Sequence, residues 1–161
     1  MSASTLQRSI VEGKAIRNKA AKEESTLFNT APSRIERNHL HFYGFALNEA
    51  WVMQYARANL TGVGDQNYWC ILTWVMDHLR IVTNHDDINV QPAKIDDETP
   101  ANATVYEPEP GVKHIAILCI CEFHKEAWPR RPTLAQVKEL TEIMGTEPRW
   151  WTDFNPFEYY E

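Results

Sequence analysis

The sequence predicts an α+β domain in which an antiparallel helix pair and a C-terminal helix are packed on a small sheet, preceded by a basic N-terminal helical arm. Three observations favour this class. Residues 48–144 contain several segments with apolar side chains at helical spacing, and a β-branched, apolar run at residues 112–123 has the length of a strand. A chain of 161 residues with 43% hydrophobic side chains is sufficient for one core. We place the arm at residues 1–30 and the domain at residues 31–161.

The arm is predicted because residues 4–24 are rich in helix formers but sparse in apolar side chains. Residues 1–40 carry seven Lys and Arg against four Glu, whereas the whole chain has a formal net charge of −6. The first part of the chain is therefore basic and the remainder is acidic. We expect such an arm to dock on an acidic protein surface, including that of another copy. The breaker residues 29–33 mark the predicted boundary.

Two helices are predicted after residue 47, joined by a short connection. The first begins after Asn48, a favourable N-cap residue, and ends before Gly62. The second begins after Asp65 and ends at Asn84. Its buried face is indicated by the spacing of Tyr68, Ile71, Leu72, Val75, Leu79 and Val82. Because the connection is short, the two helices are predicted to be antiparallel neighbours.

Residues 85–111 are predicted to be mostly loop, because acidic residues are mixed with four prolines there. We expect one short strand at residues 103–106 and a turn at residues 107–111. The apolar run at residues 112–123 predicts a central strand that is covered on both faces.

A third helix is predicted directly after this strand and the breaker that follows it. Thr133 and Gln136 have the spacing of a capping box, and Gly145 is a typical C-terminal stop. The apolar side chains between them recur at helical spacing, so a buried face is expected here as well.

The last twelve residues include six aromatic side chains, and rings in such number need a surface to bury against. We favour the interpretation in which this tail packs on its own domain. The alternative is an intermolecular contact, because Trp, Tyr and Arg are enriched at protein interfaces. In that alternative the candidate binding residues are Arg149, Trp150, Trp151, Phe154, Tyr159 and Tyr160.

Three histidines and a glutamate form a second candidate site, because they occur in pairs two residues apart. If the chain is extended at these positions, His39 and His41 lie on the same face of one strand, and Glu122 and His124 lie on the same face of another. Imidazoles with a carboxylate are ligands for one divalent transition metal, and a carboxylate also orients an imidazole for acid–base catalysis. The alternative is that each pair is simply the polar end of a strand, which requires no cofactor.

Cysteine usage and charge limit the location and the partners of the protein. Cys119 and Cys121 are predicted to lie on one buried side of the strand, where thiols are unreactive. The odd number of cysteines, the lack of a secretory signal and the lack of a long apolar run indicate a cytoplasmic protein with no membrane partner. The acidic balance disfavours nucleic acid as a partner.

No motif in the sequence is specific for one reaction. We therefore expect a non-catalytic intracellular module that binds another protein or assembles with itself through the arm and the aromatic tail. The alternative is a small metal- or histidine-dependent enzyme that acts on a small molecule and is centred on the three histidines and the glutamate.

Overall fold

The computed structural model describes residues 26–157 and contains three α-helices and five antiparallel strands, an α+β arrangement. In chain order the elements are β1 (His39–Ala46), α1 (Glu49–Asn59), α2 (Tyr68–Thr83), β2 (Asn89–Ala93), β3 (Val105–Glu109), β4 (Val112–Glu122), α3 (Leu134–Met144) and β5 (Arg149–Pro156), with a short 3-10 helix at Trp128–Arg130. Across the described residues, no helix has the length and apolar character that a membrane crossing requires. The helical arm predicted at residues 4–24 lies outside the described residues.

The helix ends follow local capping chemistry. The Asn48 side chain accepts a hydrogen bond from the Trp51 N–H at 3.0 Å, so α1 begins where the sequence predicts. In α3, Thr133 and Gln136 exchange side-chain and backbone hydrogen bonds, and Gly145 ends the helix in the left-handed conformation. The predicted start of α1 and the predicted start and end of α3 are therefore confirmed.

Helix α2 begins slightly later than predicted, because Asn67 rather than Asp65 is its N-cap. It ends at Asn84 as predicted, with a left-handed φ of 55°. Helices α1 and α2 contact each other, as in the hydrogen bond of 2.8 Å between the Tyr55 hydroxyl and His78 Nδ1.

The two helices are nevertheless not antiparallel, because both begin beside Tyr106. The Tyr106 hydroxyl donates to the carboxylate of Glu49 at the start of α1, and its ring contacts Trp69 at the start of α2. The prediction of an antiparallel pair is therefore wrong. The connection at residues 60–67 is long enough for the chain to return along α1 before α2 begins.

Four strands close into a small barrel. The strand order is β1-β5-β2-β4-β3, and β1 also pairs with β4, so that β1, β5, β2 and β4 form a ring. The barrel interior is filled by apolar residues from all four ring strands: Phe42, Ala93, Ile115, Ile117, Cys119 and Trp151. A larger apolar cluster lies between the sheet and the helices. The prediction that β4 is a central, doubly covered strand is confirmed.

Three strands lie wholly or partly where the sequence predicts a loop, a turn or a tail. β2 falls within residues 85–111, and β3 occupies part of the predicted turn at residues 107–111. The part of the aromatic tail that the structure describes, up to residue 157, packs on its own domain, as the favoured interpretation predicts, but it does so as strand β5 between β1 and β2. Helix α3 is therefore followed by a strand and is not the last element.

A β-bulge near the end of β4 interrupts the regular alternation of its side chains between the two faces of the sheet. Tyr43 pairs with Cys121 but Gly44 pairs with Cys119, so β4 has an extra residue at this point. Cys119 consequently faces the barrel interior, whereas Cys121 belongs to the cluster between the sheet and the helices. The prediction that both sulfurs share one side is wrong for this reason.

The folded domain begins before the predicted boundary at residue 30. Leu27 forms a β-bridge with Thr133, and the Phe28 ring stacks on Tyr43 at a centroid distance of 4.4 Å. Phe28 is 5% exposed, which is typical of a core residue. Residues 26–30 therefore belong to the domain.

Candidate binding surface

Two of the tail residues predicted to bind a partner instead contact other residues of their own domain. Trp151 is only 2% exposed, and its indole N–H donates to the Gly44 carbonyl at 3.1 Å. The Arg149 guanidinium lies 3.8 Å from the centre of the Trp151 ring and forms an ion pair with Asp96. The interpretation of Trp151 as a surface contact residue is wrong, because the barrel encloses its ring.

The other tail residues in the described range also have partners within the domain. The Trp150 indole N–H donates to the Thr30 carbonyl at 2.9 Å, and its ring lies 5.2 Å from that of Tyr43. The Phe154 ring lies 4.8 Å from the His114 ring. The remaining predicted residues, Tyr159 and Tyr160, lie outside the described residues.

The elements that carry the four predicted metal ligands do meet, but the side chains do not converge. Phe42 pairs with Glu122 across β1 and β4, and the Phe123 N–H donates to the His41 carbonyl. Directly opposite residues share a face, so Glu122 lies on the Phe42 side of the sheet while His41 lies on the other. Between residues 26 and 157, no group of three or more His, Cys, Asp or Glu side chains is arranged to hold a metal ion.

The three histidines of this set contact nearby backbone groups instead. His41 Nε2 accepts a hydrogen bond from the Glu36 N–H at 3.0 Å, and burial lowers the pKa of this imidazole. His39 Nδ1 lies 3.1 Å from a carbonyl two residues before it, and His124 Nδ1 accepts a hydrogen bond from an N–H two residues after it. These contacts are typical of polar strand ends, although His41 is buried.

A small cavity of about 80 Å³ lies beside Glu122. Its lining consists of Asp87, Asn89, Ile120, Cys121, Glu122, Ala127, Arg130 and Arg131. Burial raises the pKa of Glu122, an effect that His124 and Arg130 oppose. Burial also raises the pKa of Cys121 to about 12, so this thiol remains protonated at neutral pH. The space is sufficient for a few water molecules.

The most exposed tryptophan of the described range is Trp69, at the start of α2, with 56% of its surface accessible. Its ring lies 5.2 Å from the Tyr68 ring and 5.8 Å from the Tyr106 ring. The Tyr106 hydroxyl donates to Glu49 Oε1 at 2.9 Å. These four residues, Glu49, Tyr68, Trp69 and Tyr106, are termed the Trp69 surface.

Each residue of the Trp69 surface is held by a regular element. Glu49 is the first residue of α1 and Tyr68 is the first of α2, while Tyr106 pairs with His114 across β3 and β4. Burial raises the pKa of Tyr106, and its hydrogen bond to Glu49 adds to this shift. The hydroxyl therefore stays protonated and continues to donate to Glu49, which keeps the rings in place.

The helical spacing of α2 contains a signal for Trp69, which is not among the binding residues predicted from the sequence. The buried residues of α2 include Ile71, Leu72 and Val75, and Trp69 lies off this stripe. A large aromatic side chain on the polar side of an amphipathic helix is therefore a candidate contact residue.

The chain matches no protein-family model, and no curated protein or solved structure matches it at a significant level.

Proposed function

We propose that the protein is a non-catalytic, self-associating binding module whose Trp69 surface contacts a second copy of the chain. The observation that carries this proposal is the exposure of the Trp69 indole, 56% of which is accessible. Burying roughly 100 Å² of apolar ring surface stabilises a complex by about 2–3 kcal/mol. An exposed ring of this size is a suitable anchor for an interface.

The surroundings of Trp69 support this role because they hold the ring before a partner arrives. Tyr68 and Tyr106 contact the ring, and the hydrogen bond from Tyr106 to Glu49 holds one of these contacts. A side chain that is already ordered loses little conformational entropy on binding, so more of the contact energy contributes to affinity. Trp and Tyr are also the residues most enriched among those that dominate interface energies.

Self-association is favoured over a different partner by the distribution of charge. The sequence combines a basic beginning with an acidic remainder, so two copies offer complementary surfaces to each other.

The experiment measures the mass of the full-length chain by sedimentation over a range of concentrations. Trp69→Ala is expected to weaken self-association at least tenfold, because it removes the anchor. The melting temperature should change little, since the ring is exposed. The matched control is Ile35→Ala, which truncates a side chain that is 63% exposed and lies in the segment before β1. This control should associate like the wild type.

Equal association of the wild type and Trp69→Ala would contradict the proposal, as would a wild-type chain that stays monomeric at all concentrations.

A further inference from the structure

We infer that the Trp69 surface takes a lysine or arginine side chain, and that residues 1–25 of a second copy supply it. This inference rests on the proposed function and names the segment that occupies the same surface.

Two other tryptophan rings of the domain are each covered by an arginine side chain. Arg131 lies 4.8 Å from the centre of the Trp128 ring, and Arg149 lies 3.8 Å from that of Trp151. Within residues 26–157, no lysine or arginine covers Trp69 in this way. Tryptophan is the aromatic side chain that attracts a cation most strongly, so its accessible face is suited to a cation from outside the domain.

Negative charge lies beside the ring. The carboxylate of Glu49 is part of the Trp69 surface, the exposed Asp65 lies shortly before α2, and the exposed Glu107 is next to Tyr106 in β3. Lys113 lies 4.0 Å from Glu107 and offsets part of its charge. The remaining negative charge favours a cationic side chain over a neutral or an anionic one.

Residues 1–25 carry a net positive charge. This segment has five cationic residues, Arg8, Lys14, Arg17, Lys19 and Lys22, against three glutamates. Its charge is therefore complementary to that of the Trp69 surface.

Residues 1–25 are also long enough to contact a Trp69 surface. The Leu134 N–H donates to the Thr26 carbonyl at 2.8 Å, and Gln136 donates to the carbonyl of Asn84, the C-cap of α2. The segment therefore joins the domain near the end of α2, roughly 20 Å from Trp69 at the rise of an α-helix. A chain of 25 residues spans up to about 80 Å when extended, several times this distance, so its length allows contact with a Trp69 surface outside its own molecule as well as with its own.

The first test neutralises the segment in the full-length chain by replacing its five cationic residues with Gln: Arg8→Gln, Lys14→Gln, Arg17→Gln, Lys19→Gln and Lys22→Gln. Self-association at low salt is expected to weaken at least tenfold, and the indole N–H resonance of Trp69 is expected to shift. Trp69→Phe identifies that resonance. The matched control is the double variant Arg34→Gln and Arg37→Gln, which removes cations of the described domain and should leave both readouts unchanged.

The second test mixes this neutralised variant with Trp69→Ala. Each is defective alone, but the mixture contains an intact segment on one copy and an intact Trp69 on the other. We expect the mixture to associate more tightly than either variant alone.

The outcomes separate this inference from the proposed function. If the neutralised variant associates like the wild type while Trp69→Ala does not, the inference is overturned and the proposed function stands. If neither variant differs from the wild type, both are overturned. If the Trp69 resonance shifts in the neutralised variant but the mixture fails to associate, the segment binds Trp69 of its own molecule, which overturns binding by a second copy.

Discussion

Two tryptophans illustrate what decides the role of a single residue in this protein. Trp151 and Trp69 are chemically identical, yet one lies inside the barrel and the other is the anchor of the proposed interface. Trp151 is buried because β5 pairs with β1, a contact between residues far apart in sequence. The position of Trp69 follows from helical periodicity alone. Only the exposed position of Trp69 can therefore be predicted from the sequence.

Because His85 is buried, we expect the free energy of unfolding of the domain to decrease in mild acid. Burial lowers the pKa of this imidazole below its ordinary value of 6.5, and its Nε2 donates to the Ile120 carbonyl at 2.7 Å. The unfolded chain binds a proton near the ordinary value, whereas the folded protein keeps His85 neutral to lower pH. The free energy of unfolding therefore decreases as the pH is lowered through 6.5.

Urea denaturation at several pH values between about 7.5 and 5.5 measures this effect. His85→Gln keeps a donor for Ile120 but does not titrate, so its stability should depend less steeply on pH. Some dependence remains, because burial also lowers the pKa of His41 and of His114. An identical pH dependence in the wild type and His85→Gln would rule out this role of His85.

At the scale of elements, helices are predictable from this sequence and strand pairing is not. Capping residues and apolar spacing are local, so the ends at Asn48, Asn84 and Gly145 follow from a few neighbouring residues. β2 contains Pro92 and three polar or small residues, which favour a loop until pairing with β4 is considered. The orientation of α2 against α1 likewise depends on contacts with a distant strand.

The direction of the side chains at the candidate metal site is also not predictable from the sequence. The ends of β1 and β4 do lie together, since Phe42 pairs with Glu122, but the two-residue spacing does not predict this pairing. It does not reveal the bulge between Cys119 and Cys121 or the face to which His41 points. A shift of one residue reverses the direction of every side chain beyond it, so spacing alone does not establish convergence.

The close approach of β1 and β4 makes Gly44 essential to the barrel. A Cβ atom at Gly44 would overlap the carbonyl oxygen of Leu118, and this obstacle is backbone that has little freedom to move. Gly44→Ala is therefore expected to lower the free energy of unfolding by about 3 kcal/mol, measured by urea denaturation.

The matched control for this substitution is Gly111→Ala. Gly111 has a φ of 80° and open space around it, so an added methyl group meets only backbone strain of about 1–2 kcal/mol. If Gly44→Ala is no more destabilising than this control, the two strands are less tightly apposed than described.

At the scale of the whole molecule, residues 26–30 are part of the folded domain although they precede the predicted boundary. Besides the burial of Phe28, the Arg131 side chain donates to the Phe28 carbonyl at 2.6 Å, and Trp150 donates to the Thr30 carbonyl at 2.9 Å. A chain that starts at Ala31 is expected to be about 3 kcal/mol less stable than one that starts at Thr26, because it lacks the Phe28 ring.

Thermal and urea denaturation of the two shortened chains make this comparison. A third chain, starting at Thr26 with Phe28→Ala, should resemble the shorter one. Equal stability of the chains that start at Thr26 and at Ala31 would show that the domain begins at the boundary predicted from the breaker residues.

The position of β5 has a consequence for biosynthesis. A ribosome makes β1 and β2 long before the strand that separates them, so a nascent chain carries two unsatisfied backbone edges while most of its length has already emerged. Such edges are templates for pairing with other chains. Protection by chaperones during translation would thus matter more for this protein than for one whose sheet is completed in the order of synthesis.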